Sequence, residues 1–451
     1  MPCRRPAGLI LALLAGGFAA CSEDAPVSPN ASHQPANALL DRVSGYGAEV
    51  PLAYYELSLA FTKQTGGFSP PVQARAYAYM GLALYEALAS GMPGYRSIAK
   101  QLNGIGPLPE PVGIPYHWPL VANAALAEVM RGLWGGKTSR APANIADLGA
   151  LEAAFVAQYA DLPPGLAQQS QRFGREVGAA VFATSVDDGG HEGYANNFPP
   201  YTPPEGPGLW VPTAPNQKAL QPYWGTTVQT MVLSSATECD QGGPPAYSTE
   251  SGSPFRLEAE EVYQAVKNLT SEQRTIALYW ADGPTTISGP GHSIAITNQI
   301  LVKEGADLGI AAETYARVGL AVGDAITALW WAKYHYNLLR PVTYIQNVID
   351  PTFMTVLSTP PFPEYESAHS TQSAAAATSL EYLFGNQVGF VDHAHDADGF
   401  APRSFDRIYA AAEEAGISRI YAGIHFRSGN LDGQAQGRCV AAKVHSLNWR
   451  R

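Results

Sequence analysis

Apolar residues recur every three or four positions along most of the chain, which is the periodicity of amphipathic helices. The same segments are rich in Ala, Leu, Glu and Gln, with few alternating β-branched residues. A strand-like pattern is confined to short pieces such as 226–233. The pattern predicts an all-α fold, a helix-bundle architecture with two packed helical bundles. The predicted helices span 70–90, 117–135, 147–160, 165–187, 258–280, 309–339, 367–384, 403–424 and 430–448.

Two connections, 188–257 and 385–402, are dense in Gly, Pro, Asp and aromatic residues. They are longer than most loops of compact domains, and loops of that length usually have a function. The first contains Trp210 and Trp224, which are expected to fold it onto the helices. No second polar linker interrupts residues 51–451, so this length is predicted to form a single helical domain.

The first fifty residues follow a different pattern. Two arginines precede a short apolar run, and small residues lead to Cys21, which is typical of an export signal over 1–20. The run is shorter than the ~20 apolar residues that a permanent membrane helix needs. Its end resembles a bacterial lipoprotein cleavage site, which predicts a lipid on Cys21 and a protein in the periplasm or cell envelope, at the outer membrane. The alternative is an ordinary secretory signal in which Cys21 is incidental. Residues 21–50 are rich in Ser, Pro and Ala and are predicted to form a flexible tether.

Charge and cysteine content narrow the possible partners. The net charge is −11, and it becomes −13 once the two signal arginines are removed. An acidic chain of this kind is an unlikely partner for nucleic acid. After export, Cys239 and Cys439 remain besides Cys21. They could pair in an oxidising compartment, and two free buried cysteines fit their spacing equally well.

Candidate chemistry is concentrated in three short segments near the C-terminus. In the first, WWAKYHYNLLRPVTY, Lys333 and Arg340 are seven residues apart and would lie on nearly the same face of a helix. Two cations on one face repel, so a bound multivalent anion is the simplest reason to keep both. Two solvated charges at a helix end are the alternative. Pro341 is expected to end or kink this helix.

The second and third segments add oxyanion donors and histidines. Ser367 is a predicted N-cap, so the amide of Ala368 would point out of a helix start towards an oxyanion. His369 would lie at the same place and could transfer a proton near neutral pH. In the third segment, Arg419 presents a planar set of donors suited to an oxyanion, and His425 follows six residues later. Histidines that cap a helix or fill the core are the alternative interpretation.

Taken in order, these residues resemble a known signature. Lys-x6-Arg-Pro, then Ser-x-His after a Pro-rich lead, then Ser-Arg-x5-His is similar to the signature shared by vanadium-dependent haloperoxidases and type 2 phosphatidic acid phosphatases. Further stretches, among them LYWADGP, PPFPEY and YAGIHFRSGN, look like the bacterial haloperoxidase branch. The likeness runs from about residue 51 to 447.

This resemblance implies a vanadate cofactor, with hydrogen peroxide and a halide as substrates. Vanadate oxygens would be held by Lys333, Arg340, Ser367, the Ala368 amide and Arg419, and His425 would bind vanadium. His369 would take a proton from peroxide, and Lys333 would polarise the bound peroxide. The hypohalous acid that forms would react with small organic acceptors.

The chain departs from the family pattern at two positions. Ala368 replaces the usual glycine, which keeps the backbone N–H but adds a methyl group. Gly429 occupies the place of an acidic residue, so Asp432 is expected to orient His425 instead.

Four more residues are candidates for the surroundings of the pocket. Asp282 is expected to pair with Arg419 as a supporting carboxylate, or only to shape a turn. Trp330 and Phe362 fall where haloperoxidases place aromatic residues near the halide, and they could equally be core aromatics. His292 lies in a loop that is similar to one of the family, and it could contact the site or only shape a turn.

Other functions remain open from the sequence alone. An exported acid phosphatase would use the same pocket, with His425 as nucleophile. A lipoprotein that only captures phosphate or vanadate is a third reading. In addition, the segment VDHAHDADG, 391–399, alternates His and Asp and fits either a divalent cation site or a solvated loop.

Overall fold

The computed structural model describes residues 42–283 and 286–451, and these lie within one compact unit. The predicted signal, Cys21 and most of the predicted tether lie outside the described residues. Fourteen α-helices and one two-stranded antiparallel sheet are present in the described part. The helices are α1 Glu49–Gln64, α2 Pro70–Leu88, α3 Trp118–Trp134, α4 Ala141–Gln158, α5 Pro164–Val186, α6 Trp224–Thr227, α7 Pro254–Lys267, α8 Ser271–Tyr279, α9 Ser288–Lys303, α10 Leu308–Tyr336, α11 Pro341–Val348, α12 Ala368–Phe384, α13 Ile408–Tyr421 and α14 Arg427–Ser446, and the strands are β1 Phe390–Asp392 and β2 Arg403–Phe405.

The all-α prediction is confirmed, and the errors have local causes. The predicted helix 258–280 is two helices, because Thr270 and Gln273 form a capping box that starts α8. The predicted strand 226–233 is wrong. Residues 224–227 are a helical turn, and the amides of 231–233 bind the buried carboxylate of Asp324 at 2.7–2.8 Å. Helix α9 was not predicted from periodicity, because most of its residues are buried and it therefore has no polar face.

Helix α10 lies at the centre of the molecule. It packs against α2 on one side and against α12 and α14 on another. The approach to α2 is close: a Cβ on Gly81 or Gly319 would lie 2.4 Å from Tyr315 O or 2.6 Å from Tyr77 O, respectively. Helices α3 and α5 extend the first group, and α13 extends the second. A helix shared by both groups is buried nearly all round, which explains the weak amphipathic pattern of α10.

The three signature segments meet where helices end. Lys333 lies in the last turn of α10, which terminates at Asn337 in the left-handed region with φ 50°. Arg340 is therefore not on the same helix as Lys333, and Pro341 begins α11 instead of ending α10. Ala368 is the first residue of α12, and Arg419 is in the last turn of α13. This arrangement brings helix ends, with their unpaired backbone groups, to one place.

The first long connection is fixed to the helices. Trp210 and Trp224 are buried as expected. A disulfide joins Cys239 in this connection to Cys439 in α14, which resolves the open question of their pairing. Across residues 42–283 and 286–451, no helix has both the length and the apolar character needed to cross a bilayer.

Candidate active site

Two buried arginines, Arg340 before α11 and Arg419 in the last turn of α13, lie close enough for their charges to interact, and the residues around them form a candidate anion site. Arg340 donates to Phe362 O and Ile424 O at 2.9 Å each, and Arg419 donates to Trp280 O at 2.6 Å. Each also keeps one nitrogen that has no partner in the described structure, Nη2 of Arg340 and Nε of Arg419. Burial lowers the pKa of Arg340 to about 9 and that of Arg419 to about 10. Both side chains remain cations at neutral pH. Their backbone partners hold them in place, and each still has an N–H group available to a ligand.

Lys333 supplies a third cation but no spare donor. Its ammonium group donates to Pro363 O, Glu364 O and Glu366 O, at 3.1, 3.0 and 2.5 Å. Burial and the neighbouring Arg340 lower its pKa well below the usual value. Three hydrogen bonds use all three protons of an ammonium group. Lys333 would have to leave one of these carbonyls to donate to an anion.

The start of α12 presents further donors to the same pocket. Ser367 precedes the helix as expected, but its side chain does not cap it, and its buried Oγ has no partner among the described residues. Its backbone N–H donates to Gly429 O at 2.9 Å. The first intrahelical bond runs from Thr371 N to Ser367 O, so the preceding amides, including that of Ala368, are the unsatisfied donors of a helix start.

His425 follows α13 and is oriented by Glu364. Its Nδ1 donates to Glu364 Oε1 at 2.8 Å, while Nε2 accepts from Arg340 Nη1 at 3.1 Å. Burial, together with Arg340, Lys333 and Arg419, holds the pKa of His425 well below its usual range. The ring is neutral, with its lone pair on Nε2. We refer to Lys333, Arg340, Ser367, Arg419 and His425 as the anion pocket.

The expected partner of His425, Asp432, is elsewhere. Asp432 accepts from the hydroxyl of Tyr365 at 3.0 Å. The acid that orients His425 comes instead from the Pro-rich lead of the second segment. Glu364 is completely buried and also accepts from Phe426 N, and burial raises its pKa to about 7.

His369, the second residue of α12, is close to Arg419 and is hydrogen-bonded to Asp282. Its Nε2 lies 3.0 Å from Asp282 Oδ2. Burial and the charge of Arg419 lower the pKa of His369 to about 4. The predicted hydrogen-bonded pair of Asp282 and Arg419 does not form, because Arg419 donates to Trp280 O and the carboxylate of Asp282 is shared among histidines. Asp282 still influences Arg419 through its charge.

Asp282 also joins His292 to His395, a residue of the 391–399 segment. His292 Nδ1 and His395 Nε2 each lie 3.0 Å from Asp282 Oδ1. We call Asp282, His292 and His395 the histidine–aspartate cluster. The segment 391–399 is thus not a solvated loop throughout, since Asp392 and His395 are buried.

Aromatic residues cover one side of the cations. The ring of Phe362 lies 4.9 Å from Lys333 Nζ and 5.0 Å from the guanidinium carbon of Arg340. Trp330 packs on Phe362 with ring centroids 5.1 Å apart. Phe362 therefore lies beside the anion pocket and Trp330 packs behind it, and both are also buried members of the hydrophobic core. His335 points away and stacks on Trp331.

Two buried acids were missed by sequence reasoning. Glu364 and Glu366 flank the Lys333 ammonium group through their backbone carbonyls. Both carboxylate oxygens of Glu366 are buried without a partner in the described structure, and burial raises its pKa to about 8. The available signal was two glutamates inside PPFPEYES, a stretch whose other residues are mostly apolar or small.

Together the pocket offers cations, free N–H and O–H donors and one imidazole lone pair, that of His425 Nε2, which Arg340 Nη1 would have to release before it could bind a ligand. Donors with this charge suit a tetrahedral oxyanion, and the lone pair suits a metal or an electrophilic centre within that anion. A neutral histidine, His369, lies beside them and can accept a proton.

Comparison with known proteins bears on this chemistry. A family model, the VCPO second helical-bundle domain, matches residues 313–450. Among solved structures, the chain is similar to a bacterial vanadium-dependent iodoperoxidase, with 31% sequence identity and a TM-score of 0.80, covering 89% of this chain and 96% of that one. No curated protein matches the chain.

The fold is also shared with a bacterial vanadium-dependent chloroperoxidase. Its holo form has a TM-score of 0.65 at 16% identity, covering 85% of this chain and 92% of that one. Its apo form has a TM-score of 0.62 at 15% identity, covering 85% of this chain and 94% of that one. At such identities the likeness concerns the fold.

Proposed function

The chain belongs to the vanadium-dependent haloperoxidases, and we propose that its anion pocket binds vanadate and oxidises a halide with hydrogen peroxide. The net reaction converts peroxide, halide and one proton into hypohalous acid and water. The halide loses two electrons, and the peroxide bond that breaks gains them.

The observation that carries this assignment is a set of three buried donors without partners in the described residues: Arg340 Nη2, Ser367 Oγ and Arg419 Nε. Leaving a buried donor unpaired costs about 1–3 kcal/mol, more for a charged group. Three such donors around one pocket fit an oxyanion ligand better than a structural role. Vanadate, a tetrahedral oxyanion with an electrophilic metal at its centre, matches both these donors and the lone pair of His425.

Each residue of the pocket then has a distinct task. Arg340 and Arg419 donate to the anion and neutralise its charge, while Lys333 adds charge from behind its carbonyl partners. Ser367 Oγ and the Ala368 amide complete the set of donors. His425 Nε2 would bind vanadium once Arg340 Nη1 turns from it to the anion, and Glu364 fixes the ring orientation by accepting from Nδ1.

Bound vanadate supplies a Lewis acid that activates peroxide towards the halide. His369 handles the proton. Its Nε2 is held by Asp282, so Nδ1 is the nitrogen that takes a proton from incoming hydrogen peroxide and returns it to the leaving oxygen. A neutral histidine is the form required for this role. Phe362 and Trp330 form the apolar side from which the halide approaches, and the hypohalous acid leaves to react with small organic acceptors.

Peroxide-dependent halide oxidation, measured beside phosphate release, tests the assignment. Iodide is the first halide to assay, because the relative with 31% identity is an iodoperoxidase. Protein prepared without vanadate should be nearly inactive, and orthovanadate should restore activity up to about one ion per chain, since three cations neutralise one such anion.

Phosphate provides the sharpest control, because it has the same tetrahedral shape as vanadate. Excess phosphate during reconstitution should lower both vanadium content and activity. Release of phosphate from a monoester without any halide oxidation would instead establish the phosphatase reading, in which His425 is the nucleophile.

The location of the enzyme belongs to the same proposal. We place it outside the cytoplasm, attached to the outer membrane by a lipid on Cys21. The Cys239–Cys439 disulfide supports an oxidising compartment. Mass spectrometry of the N-terminal peptide should find an acylated Cys21, and Cys21→Ser should release the protein from the membrane fraction. An unmodified N-terminus beginning elsewhere would contradict the lipid anchor.

A further inference from the structure

The histidine–aspartate cluster lies on the far side of Asp282 from His369. Candidate ligand atoms of Asp282, His292 and His395 all lie within 4.8 Å of one another. Two of the separations, Asp282 Oδ1 to His292 Nδ1 and to His395 Nε2, are 3.0 Å. Two ligands of a tetrahedral zinc ion at ~2.0–2.1 Å would lie about 3.3 Å apart. The cluster is thus close to the dimensions of a metal site before any side chain moves.

The outer nitrogens of both histidines are bonded to carboxylates. His292 Nε2 lies 2.8 Å from Asp392 Oδ2, and His395 Nδ1 lies 2.9 Å from Asp398 Oδ2. This is the carboxylate–histidine arrangement that orients metal-ligating imidazoles. It directs the other nitrogen of each ring, Nδ1 of His292 and Nε2 of His395, towards the same oxygen of Asp282.

The carboxylates are themselves anchored. Asp392 accepts from Ala394 N at 3.0 Å, and Asp398 accepts from Lys63 Nζ at 3.0 Å. Trp280 stacks on the His292 ring at 4.3 Å, and Tyr279 packs edge-on against both histidines. Ligands with locked rings lose little conformational entropy when they bind an ion.

From this geometry we propose that Asp282, His292 and His395 bind a divalent transition-metal cation such as Zn²⁺, at a site separate from the anion pocket. Two imidazole nitrogens and one carboxylate oxygen suit zinc better than Mg²⁺ or Ca²⁺, which prefer oxygen ligands. In the metal-free protein, an N–H of each imidazole donates to Asp282 Oδ1.

The site would act on the reaction through Asp282, a consequence that rests on the proposed function. Its Oδ1 faces the two cluster histidines, whereas its Oδ2 lies 3.0 Å from His369 Nε2. A cation on Oδ1 would fix the carboxylate that positions His369. Asp282 would then be a positioning residue for the proton-transfer histidine and a ligand of the second metal.

The test is zinc binding to tag-free, vanadate-loaded protein after dialysis against a chelator, followed by calorimetry. We expect about one zinc ion per chain, bound with a micromolar or lower Kd. His395→Ala should weaken binding by more than the 10- to 100-fold typical of losing an outer-shell partner. Cobalt in place of zinc should give the intense visible absorption of tetrahedral coordination.

The chain contains a matched control in the same segment. His393 pairs with Asp396 at the same spacing as His395 with Asp398, but His393 is 53% exposed and outside the cluster. His393→Ala should leave zinc affinity within about threefold, since it removes no ligand. Equal zinc binding by His395→Ala and His393→Ala would overturn the proposal, as would wild-type protein that binds no zinc.

A second pair of variants covers a folding failure of His395→Ala. Asp398→Asn changes a partly exposed residue outside the ligand set and should weaken zinc binding about 10- to 100-fold, whereas Asp396→Asn should not. Zinc should also raise the Tm of wild-type protein. Vanadium content, measured on the same samples, distinguishes the two proposals. Protein that binds vanadate but no zinc would refute the zinc site alone. Protein that binds zinc but no vanadate would refute the proposed function alone.

Discussion

The anion pocket and the histidine–aspartate cluster are neighbours that differ in hydrogen bonding. In the pocket, Arg340, Ser367 and Arg419 each have a buried donor that no described protein atom accepts. In the cluster, both nitrogens of His292 and both of His395 have carboxylate partners. An oxyanion site can therefore be recognised by buried hydrogen-bond donors that outnumber the protein acceptors around them. The ligands of a cation site built from histidines can instead hydrogen-bond to one another, because protons occupy the same lone pairs that would bind the ion.

The largest effect should come from the pocket cations. Arg340→Ala removes a donor to the anion and leaves Phe362 O and Ile424 O without their partner. Truncating one member of a buried charge pair costs about 2–5 kcal/mol, so vanadate affinity should fall on the order of a thousandfold. Vanadium content after gel filtration, measured beside iodide oxidation, would show this.

Arg317→Ala is the control for a buried arginine outside the pocket. Arg317 is 3% exposed and pairs with Glu313 on α10. Its loss should lower the Tm but leave vanadium content near one ion per chain. If both variants lost vanadium equally, the effect of Arg340 would be one of folding.

Substitution of His425 and substitution of His369 should impair the enzyme in different ways. His425→Ala removes the proposed vanadium ligand, and its vanadate affinity should fall by at least the 10- to 100-fold seen when a mere outer-shell partner is lost. His369→Ala should keep most of its vanadium and lose turnover by about 10²- to 10⁴-fold, the usual contribution of acid–base catalysis. Equal vanadium retention in the two variants would contradict the assigned roles.

The sequence predicted the residues of the pocket better than their arrangement. Spacing placed Lys333 and Arg340 on one helix, yet Asn337 ends α10 between them. Left-handed backbone at a non-glycine residue is set by its surroundings, here including the bond from Asn337 Nδ2 to Tyr201 OH. Both cations still reach the same place, because Lys333 donates to Pro363 O and Arg340 donates to Phe362 O of the same Pro-rich segment.

The cluster and the partner of His425 could not be predicted for another reason. Asp282, His292 and His395 are separated by up to 113 residues, so only the packing of α9 and the 385–402 connection brings them together. Asp432 was expected to orient His425 because it is the acidic residue nearest to position 429, where the family pattern has one. Glu364, 61 residues away, has that contact, and it also accepts from the backbone of the next residue, Phe426.

Glu364 should matter more than Asp432. Glu364→Ala leaves the Nδ1 proton of His425 without its acceptor, and vanadate affinity should fall about 10- to 100-fold. Glu364→Gln keeps a carbonyl oxygen for that proton and should recover part of the loss. Asp432→Ala removes only the bond to Tyr365 and should leave vanadate affinity within about threefold. A larger effect for Asp432 than for Glu364 would restore the interpretation from sequence.

The smallest effect should follow Ala368→Gly, which recreates the residue that the family signature has at this position. The backbone N–H that would meet the anion is present in both residues, so vanadate affinity should change by less than about threefold. Glycine at a helix position costs about 1 kcal/mol at most relative to alanine, which should appear as a slightly lower Tm. Vanadate titration of both proteins measures the first effect, and thermal unfolding measures the second. More than a tenfold gain in affinity would mean that the alanine methyl group crowds the anion, and that the pocket is limited by space as well as by its donors.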